Sequence, residues 1–136
     1  MVTDCYCTSL RAATRKVTAL YDVALRPVNV NVAQWGLLRR LDAAALSPVS
    51  IQELSERCEL ERSTVARNVR VLEKLGLVRL GESADDRRAA TIVLTRRGLS
   101  VLERGAPLWQ QAQSQVEDML GRANAVELRS VLLSIS

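Results

Sequence analysis

Apolar residues recur every three or four positions along most of this chain, and that rhythm breaks at one place only. Leu10, Ala13, Val17, Leu20, Tyr21 and Ala24 predict a helix over residues 8–25, closed by Pro27. Asn31 with Gln34 reads as an N-cap and its reciprocal partner. They open a helix to about Ala44 with Trp35, Leu38 and Leu41 on one face. Ser47-Pro48 marks a loop, and Ser50-Ile-Gln-Glu53 is a capping box for a short helix ending near Cys58. The next helix runs from about Arg62 to Leu75, with Gly76 placed to end it in the left-handed conformation.

Then the period changes. Leu77–Leu80 and Thr91–Leu94 are short β-prone runs around a polar tip, which predicts a hairpin. Thr95 can cap a long helix to about Leu120, with Leu99, Leu102, Leu108, Ala112, Val116 and Met119 on one side. Gly105-Ala-Pro107 is expected to kink or briefly break it. Asn124 and Glu127 repeat the capping signature for a last helix bearing Leu128, Val131, Leu132 and Ile135. A short helix, a turn, a second helix and then a hairpin make a winged helix-turn-helix. The expected fold is therefore mainly α with a small β-hairpin (α+β), in one domain covering 1–136. Residues 30–95 would form the winged helix-turn-helix, and 1–29 with 96–136 would form flanking N- and C-terminal dimerisation helices. Those flanking helices carry more apolar positions than one small winged unit can cover, and two-fold symmetry would set two reading helices about one DNA turn apart.

Charge changes the picture because of where it lies. Net charge is +4, and residues 61–97 alone hold nine Lys or Arg against five Asp or Glu, so the whole excess sits in that window. A local basic excess suits a polyanion. The window has no aromatic residue, which argues against stacking platforms for single strands or RNA. With Val65 at zero on a helical wheel, Val69 and Leu72 fall within about 40° of it at ~100° per residue. Ser63, Arg67, Arg70 and Lys74 fall opposite, with no acid among them. A helix face that is merely solvated usually mixes signs through i,i+4 pairs, although basic faces without a partner also occur. At the hairpin tip, Asp86 can steady Arg87 or Arg88, and arginine suits the concentrated negative potential of a narrow minor groove.

These residues bring a resemblance into view. Asp86-Arg-Arg88 before a β-run ending Leu94-Thr95, after a helix ending Leu72-Glu-x-x-Gly76-Leu-Val, resembles the MarR family of bacterial transcription regulators. Leu20-Tyr-Asp-x-Ala24-Leu and Gln34-Trp-x-Leu37-Leu fit it too, so the likeness runs through essentially the whole chain. It implies a homodimer whose first and last helices interlock, and a roughly palindromic double-stranded DNA operator. It implies that Ser63, Thr64 and Arg67 approach base edges, that Arg70 and Lys74 meet phosphates, and that Asp86 buttresses Arg88 in the minor groove. It also implies a repressor released by a small molecule or an oxidant.

Candidate chemistry beyond DNA is sparse. Three cysteines and no histidine cannot alone make a four-ligand zinc site, and a His-based catalytic dyad or triad is excluded. No enzyme, cofactor or metal is expected. Aligned with the peroxide-sensing branch of the family, Cys7 takes the position of the reactive cysteine and Tyr21 that of one supporting tyrosine, while Arg11 and Val32 occupy the other two tyrosine positions. Cys5 lies beside Cys7, and Trp35 with Tyr21 could line an effector pocket; plain core packing explains both aromatics as well. No run is long and apolar enough for a membrane span, and the first residues lack a signal-peptide pattern, so a cytoplasmic protein without membrane association is expected. Two other readings remain: a winged-helix protein-interaction adaptor, and a thiol-based redox sensor acting through Cys7.

Overall fold

Side-chain hydrogen bonds decide where three of the helices begin. The computed structural model describes residues 4–42, 47–82 and 90–135. Helix α1 spans Tyr6–Leu25 and passes into a 3-10 turn, Arg26–Val28, whose Pro27 cannot donate to a helical ladder. Helix α2 is Val32–Asp42. At its entrance Asn31 Oδ1 accepts from Gln34 N at 2.8 Å, and Gln34 Oε1 accepts from Asn31 N at 2.9 Å. Asp22 of α1 adds a bond from Val32 N at 2.8 Å, which ties α1 to the same helix start. Ser50 Oγ accepts from Glu53 N at 3.0 Å and opens α3, Ile51–Cys58.

Helix α4, Arg62–Lys74, ends as Gly76 predicts. Gly76 has φ +75°, Leu77 N bonds back to Leu72 O, and Gly76 N to Glu73 O, both at 2.9 Å. This double closure needs a left-handed residue, and glycine takes that conformation without strain. Helix α3 closes by the same pattern, Leu60 N to Ser55 O at 3.1 Å, but its left-handed residue is Glu59 at φ +53°.

The sheet has one strand more than the sequence predicts. Strands β1 (Val49–Ser50), β2 (Val78–Glu82) and β3 (Ala90–Leu94) are antiparallel in the order β1-β3-β2. Val78 pairs with Leu94 and Leu80 with Ile92, while Val49 pairs with Ile92 from the other side. Two residues cannot display a period, so β1 reads as loop in the sequence. Its pairing fastens the segment before α3 to the wing.

Thr95 Oγ1 accepts from Gly98 N at 3.1 Å and starts α5, Arg96–Leu120. Of the kink or brief break expected at Gly105-Ala-Pro107, the break is absent: α5 is one helix with Pro107 inside it. Gly105 serves packing instead: a Cβ there would lie 2.4 Å from Trp35 Cζ3, so only glycine lets α5 close on α2. Helix α6, Arg122–Leu133, starts two residues before the predicted cap. Gly121 at φ +84° makes the turn, and Asn124 Nδ2 donates to Leu120 O at 3.0 Å rather than the side chain capping its own helix.

The core lies where α2, α3, α4 and the sheet meet the ends of α1 and α5. Leu25, Leu38, Leu54, Val65, Val69, Leu72 and Ile92 are fully buried there, with Leu99, Leu102, Leu108 and Trp109 packed on its margin. Helix α1 packs along α5, and α6 turns back onto α5. Ala125 is the one buried residue of α6, and Met119, expected on the apolar side of α5, is exposed.

Candidate nucleic-acid interface

Helix α4 divides as its wheel requires. Val65, Val69 and Leu72 are fully buried, each contributing about 1.5–3 kcal/mol by leaving water. Ser63, Arg67, Arg70 and Lys74 are exposed on the opposite side, and Thr64 is half-buried. Asn68 does not join the outward strip, because its Nδ2 donates to Thr64 O at 3.1 Å. Two ion pairs occur among the described residues, Arg57–Glu53 at 3.8 Å and Arg129–Glu117 at 3.9 Å. Neither involves the strip, so within the described residues its three cations have no carboxylate on them. Like charges held on one rigid face create a local positive field that an anion would relieve.

The fold adds residues that the sequence pattern did not single out. A cleft of about 340 Å³ opens between the starts of α3 and α4 and the end of the wing, lined by Ser50, Gln52, Arg62, Ser63, Ala66 and Ala90. Gln52 reads in sequence only as the inside of a capping box, and Arg62 as the first residue of its helix. Their meeting depends on the α3–α4 turn, which spacing along the chain cannot reveal. Arg79 on β2 is exposed as well. Asp86, Arg87 and Arg88 lie outside the described residues; the strands leading to them are β2 and β3.

The four effector candidates do not share one site within the chain. Cys5 and Cys7 are exposed at the start of α1, whereas Tyr21 lies fourteen residues on, ~21 Å along a helix rising ~1.5 Å per residue. The Tyr21 hydroxyl donates to Gln113 Oε1 of α5. Partial burial raises its pKa and Glu117 adds to the rise, while Arg129 opposes it. Trp35 is buried on α2 against Gly105, and its Nε1 has no hydrogen-bond partner among the described residues. Cys5 stands at the N-cap position of α1, and its thiol pKa is lowered, first by a hydrogen bond from the Thr8 side chain and then by the backbone N–H groups of Thr8 and Cys7. Burial raises the Cys58 thiol, with Arg40 partly opposing.

Around Tyr21 the helical end opens into a groove of about 560 Å³ between α1, α5 and α6. Its walls are apolar, including Leu10, Val17, Val116, Leu128 and Leu132, and Gln113, Glu117 and Arg129 lie among its lining. No helix of the described residues is long and apolar enough to cross a membrane.

A short helix, a tight turn, a second helix with an outward basic strip and an antiparallel wing define the winged helix-turn-helix class. The family model described as the MarR family matches residues 28–89. The chain is 25% identical over 126 residues to the HTH-type transcriptional regulator YhbI of Bacillus subtilis, covering 93% of this chain and 80% of that protein. It is 31% identical to the Mycobacterium tuberculosis transcriptional regulator MosR, solved in complex with DNA, with a TM-score of 0.78 over 96% of this chain and 98% of that one. The transcriptional repressor CouR, solved bound to a 23-mer DNA duplex, is 27% identical with a TM-score of 0.85, covering 97% and 92%. This chain belongs to the MarR family, whose members are DNA-binding transcriptional regulators and not enzymes.

Proposed function

We propose that this regulator is a homodimeric repressor that reads a roughly palindromic operator in double-stranded DNA and lets go on a chemical signal. The observation that carries the reading is the acid-free strip of α4, held rigid by three fully buried side chains. In it Ser63, Thr64 and Arg67 reach base edges in the major groove, Arg70 and Lys74 hold phosphates, and Gln52 and Arg62 add contacts from the neighbouring cleft. Asp86 steadies Arg88 in the adjacent minor groove, with Arg87 beside it. Residues 30–95 form the reading part, and 1–29 with 96–136 the dimerisation part. A second copy of this chain fills the apolar groove of α1, α5 and α6, which leaves Val131, Leu132 and Leu133 exposed in one protomer. Repression as the sign of control is supported by CouR, which is described as a repressor.

The signal is a small molecule or an oxidant. Among the thiols, Cys5 has the lowered pKa and an exposed position, which favours it as the oxidisable group, with Cys7 two residues away as a neighbour. A footprint on the DNA upstream of its own gene tests the function, repeated across salt concentrations and after treatment with peroxide or aromatic acids. A protected palindrome and a steep fall of affinity with salt are expected, about 0.9 in log–log slope for each phosphate neutralised. Absence of protection at low salt rejects the reading.

A further inference from the structure

The far end of α4 and the near end of α5 meet at one residue. Gly76 and Leu77, which close α4, turn their carbonyls toward Thr95. The Thr95 hydroxyl donates to Gly76 O at 2.6 Å, and its N–H donates to Leu77 O at 3.1 Å. The same hydroxyl oxygen accepts from Gly98 N at 3.1 Å and so caps α5. One side chain therefore uses its donor on the exit of one helix and its acceptor on the entrance of another.

The contact behind it is backbone on backbone. Gly98 is buried, and a Cβ at that position would lie 2.2 Å from Leu77 O and 3.2 Å from Leu77 C. The Leu94 side chain flanks this contact and the Arg97 side chain covers Gly76, but at Gly98 itself the first turn of α5 rests on the Leu77 backbone. Packed backbone has little play, whereas a pair of long side chains would yield by rotamer changes. A change in the direction of α5 at this joint must carry the end of α4 with it.

We propose that Thr95 is a positioning residue that fixes the angle between α4 and α5, and through it the half-site spacing that the dimer accepts. The spacing part rests on the DNA-reading function proposed above; the angle does not. In a two-fold dimer α5 belongs to the shared framework, so the α4–α5 angle sets how far apart the two reading helices lie. One inserted base pair turns the half-sites by about 35° relative to each other, given ~10–10.5 base pairs per turn, and a rigid joint penalises that mismatch.

Three variants separate the tie from the cap. Thr95→Ser keeps both hydrogen bonds. Thr95→Asp keeps the acceptor that caps α5 and loses the donor to Gly76 O. Thr95→Val keeps the shape and loses both. The angle is read by pulsed electron–electron resonance between spin labels on Arg70→Cys and Gln110→Cys. The background carries Cys5→Ser, Cys7→Ser and Cys58→Ala, and labelled chain is diluted with unlabelled full-length chain. A narrow distance distribution is expected for the parent and Thr95→Ser, and a broadened or shifted one for Thr95→Asp and Thr95→Val. Distributions of equal width and position in all four overturn the proposal. Binding to an operator set with the half-site spacing changed by one base pair gives the second readout. Thr95→Asp should lose roughly tenfold of the preference for the natural spacing, the ratio matching one hydrogen bond at the upper end of its usual worth. Loss of affinity in equal proportion at every spacing means that Thr95 only caps α5, and overturns the role in spacing. If the parent binds no DNA at all, the DNA-reading function fails, and the distance distributions still decide whether Thr95 holds the angle.

Discussion

Around α2, α3, α4 and the sheet, Leu38, Leu54, Val65, Val69, Leu72 and Ile92 are sealed from water. At the other end α6 buries one alanine and leaves Val126, Leu128, Val131, Leu132 and Leu133 in solvent. The winged part thus closes its own core in a single chain, while the helical end has apolar faces to spare. Both ends come from amphipathic helices of similar sequence character, so amphipathicity alone does not say whether a partner face lies within the chain. What separates them is the number of elements that converge: α3 and β2 pack on α4, with α2 and β3 in turn against α3, whereas α5 alone lies behind α6. The winged part and its basic α4 strip are finished within one chain, and the apolar faces of the helical end are left uncovered.

The largest test of that contrast compares two truncations of similar chemistry. Leu54→Ala should lower stability by about 2–5 kcal/mol, since it empties a fully closed site. Leu133→Ala, at 79% exposure, should stay within about 0.5 kcal/mol in a dilute monomer. Urea unfolding at low protein concentration measures both, and equal losses would erase the distinction. Next comes Leu128→Asp in the groove wall. A carboxylate left unpaired in a covered interface costs ~3 kcal/mol, so self-association should weaken about a hundredfold while the winged core stays folded. Sedimentation together with circular dichroism reads the two effects separately.

Gly105→Ala probes the seam between the two regions. Its added methyl meets the Trp35 ring, and overpacking of this kind costs about 1–3 kcal/mol; thermal unfolding should show the loss. Glu59→Gly points the other way. Helices α3 and α4 end by the same closure, one on Glu59 and one on Gly76, so removing the left-handed penalty of a side chain should stabilise the protein by about 1 kcal/mol. The smallest effect is chemical. Cys5 at the helical end has a lowered thiol pKa and Cys58 in the winged part a raised one. At neutral pH the lowered pKa gives Cys5 the larger thiolate fraction. Alkylation followed by mass spectrometry should therefore modify Cys5 first, and its rate should level off at a lower pH than that of Cys58. The reverse order would remove the argument for Cys5 as the sensing thiol.

Much of the fold was legible because its signals are local. Asn31 with Gln34, Ser50 with Glu53, Thr95 and Gly76 each act within a few residues of chain, and each does what its type and spacing predict. The α4 strip was legible for the same reason, since one helix carries all of it. Failures came where a distant element decides. Gly105-Ala-Pro107 reads as a kink or break, whereas the helix continues and the glycine makes room for Trp35. Strand β1 exists only because β3 passes beside it. Gln52 and Arg62 became neighbours through the α3–α4 turn. Tyr21, Trp35 and the amino-terminal cysteines, grouped in sequence by resemblance and residue type, lie apart in the chain because α1 is long and Trp35 is buried on α2.

The seam between α2 and α5 also makes the molecule its own optical probe. The chain has two tryptophans, and both lie on that seam. Trp35 is buried against Gly105, and Trp109 is half-buried with the Arg39 guanidinium 4.2 Å from its ring centroid. Trp35 should emit at the short wavelengths of an apolar cage, and Trp109 at longer ones under a neighbouring cation. Because α4 has no fluorophore, contact with DNA alone leaves the spectrum nearly unchanged. A tilt of the winged part on α5 pulls Arg39 from Trp109 and loosens the Trp35 cage. Unlabelled protein can then report in real time whether a signal bends the seam or acts elsewhere.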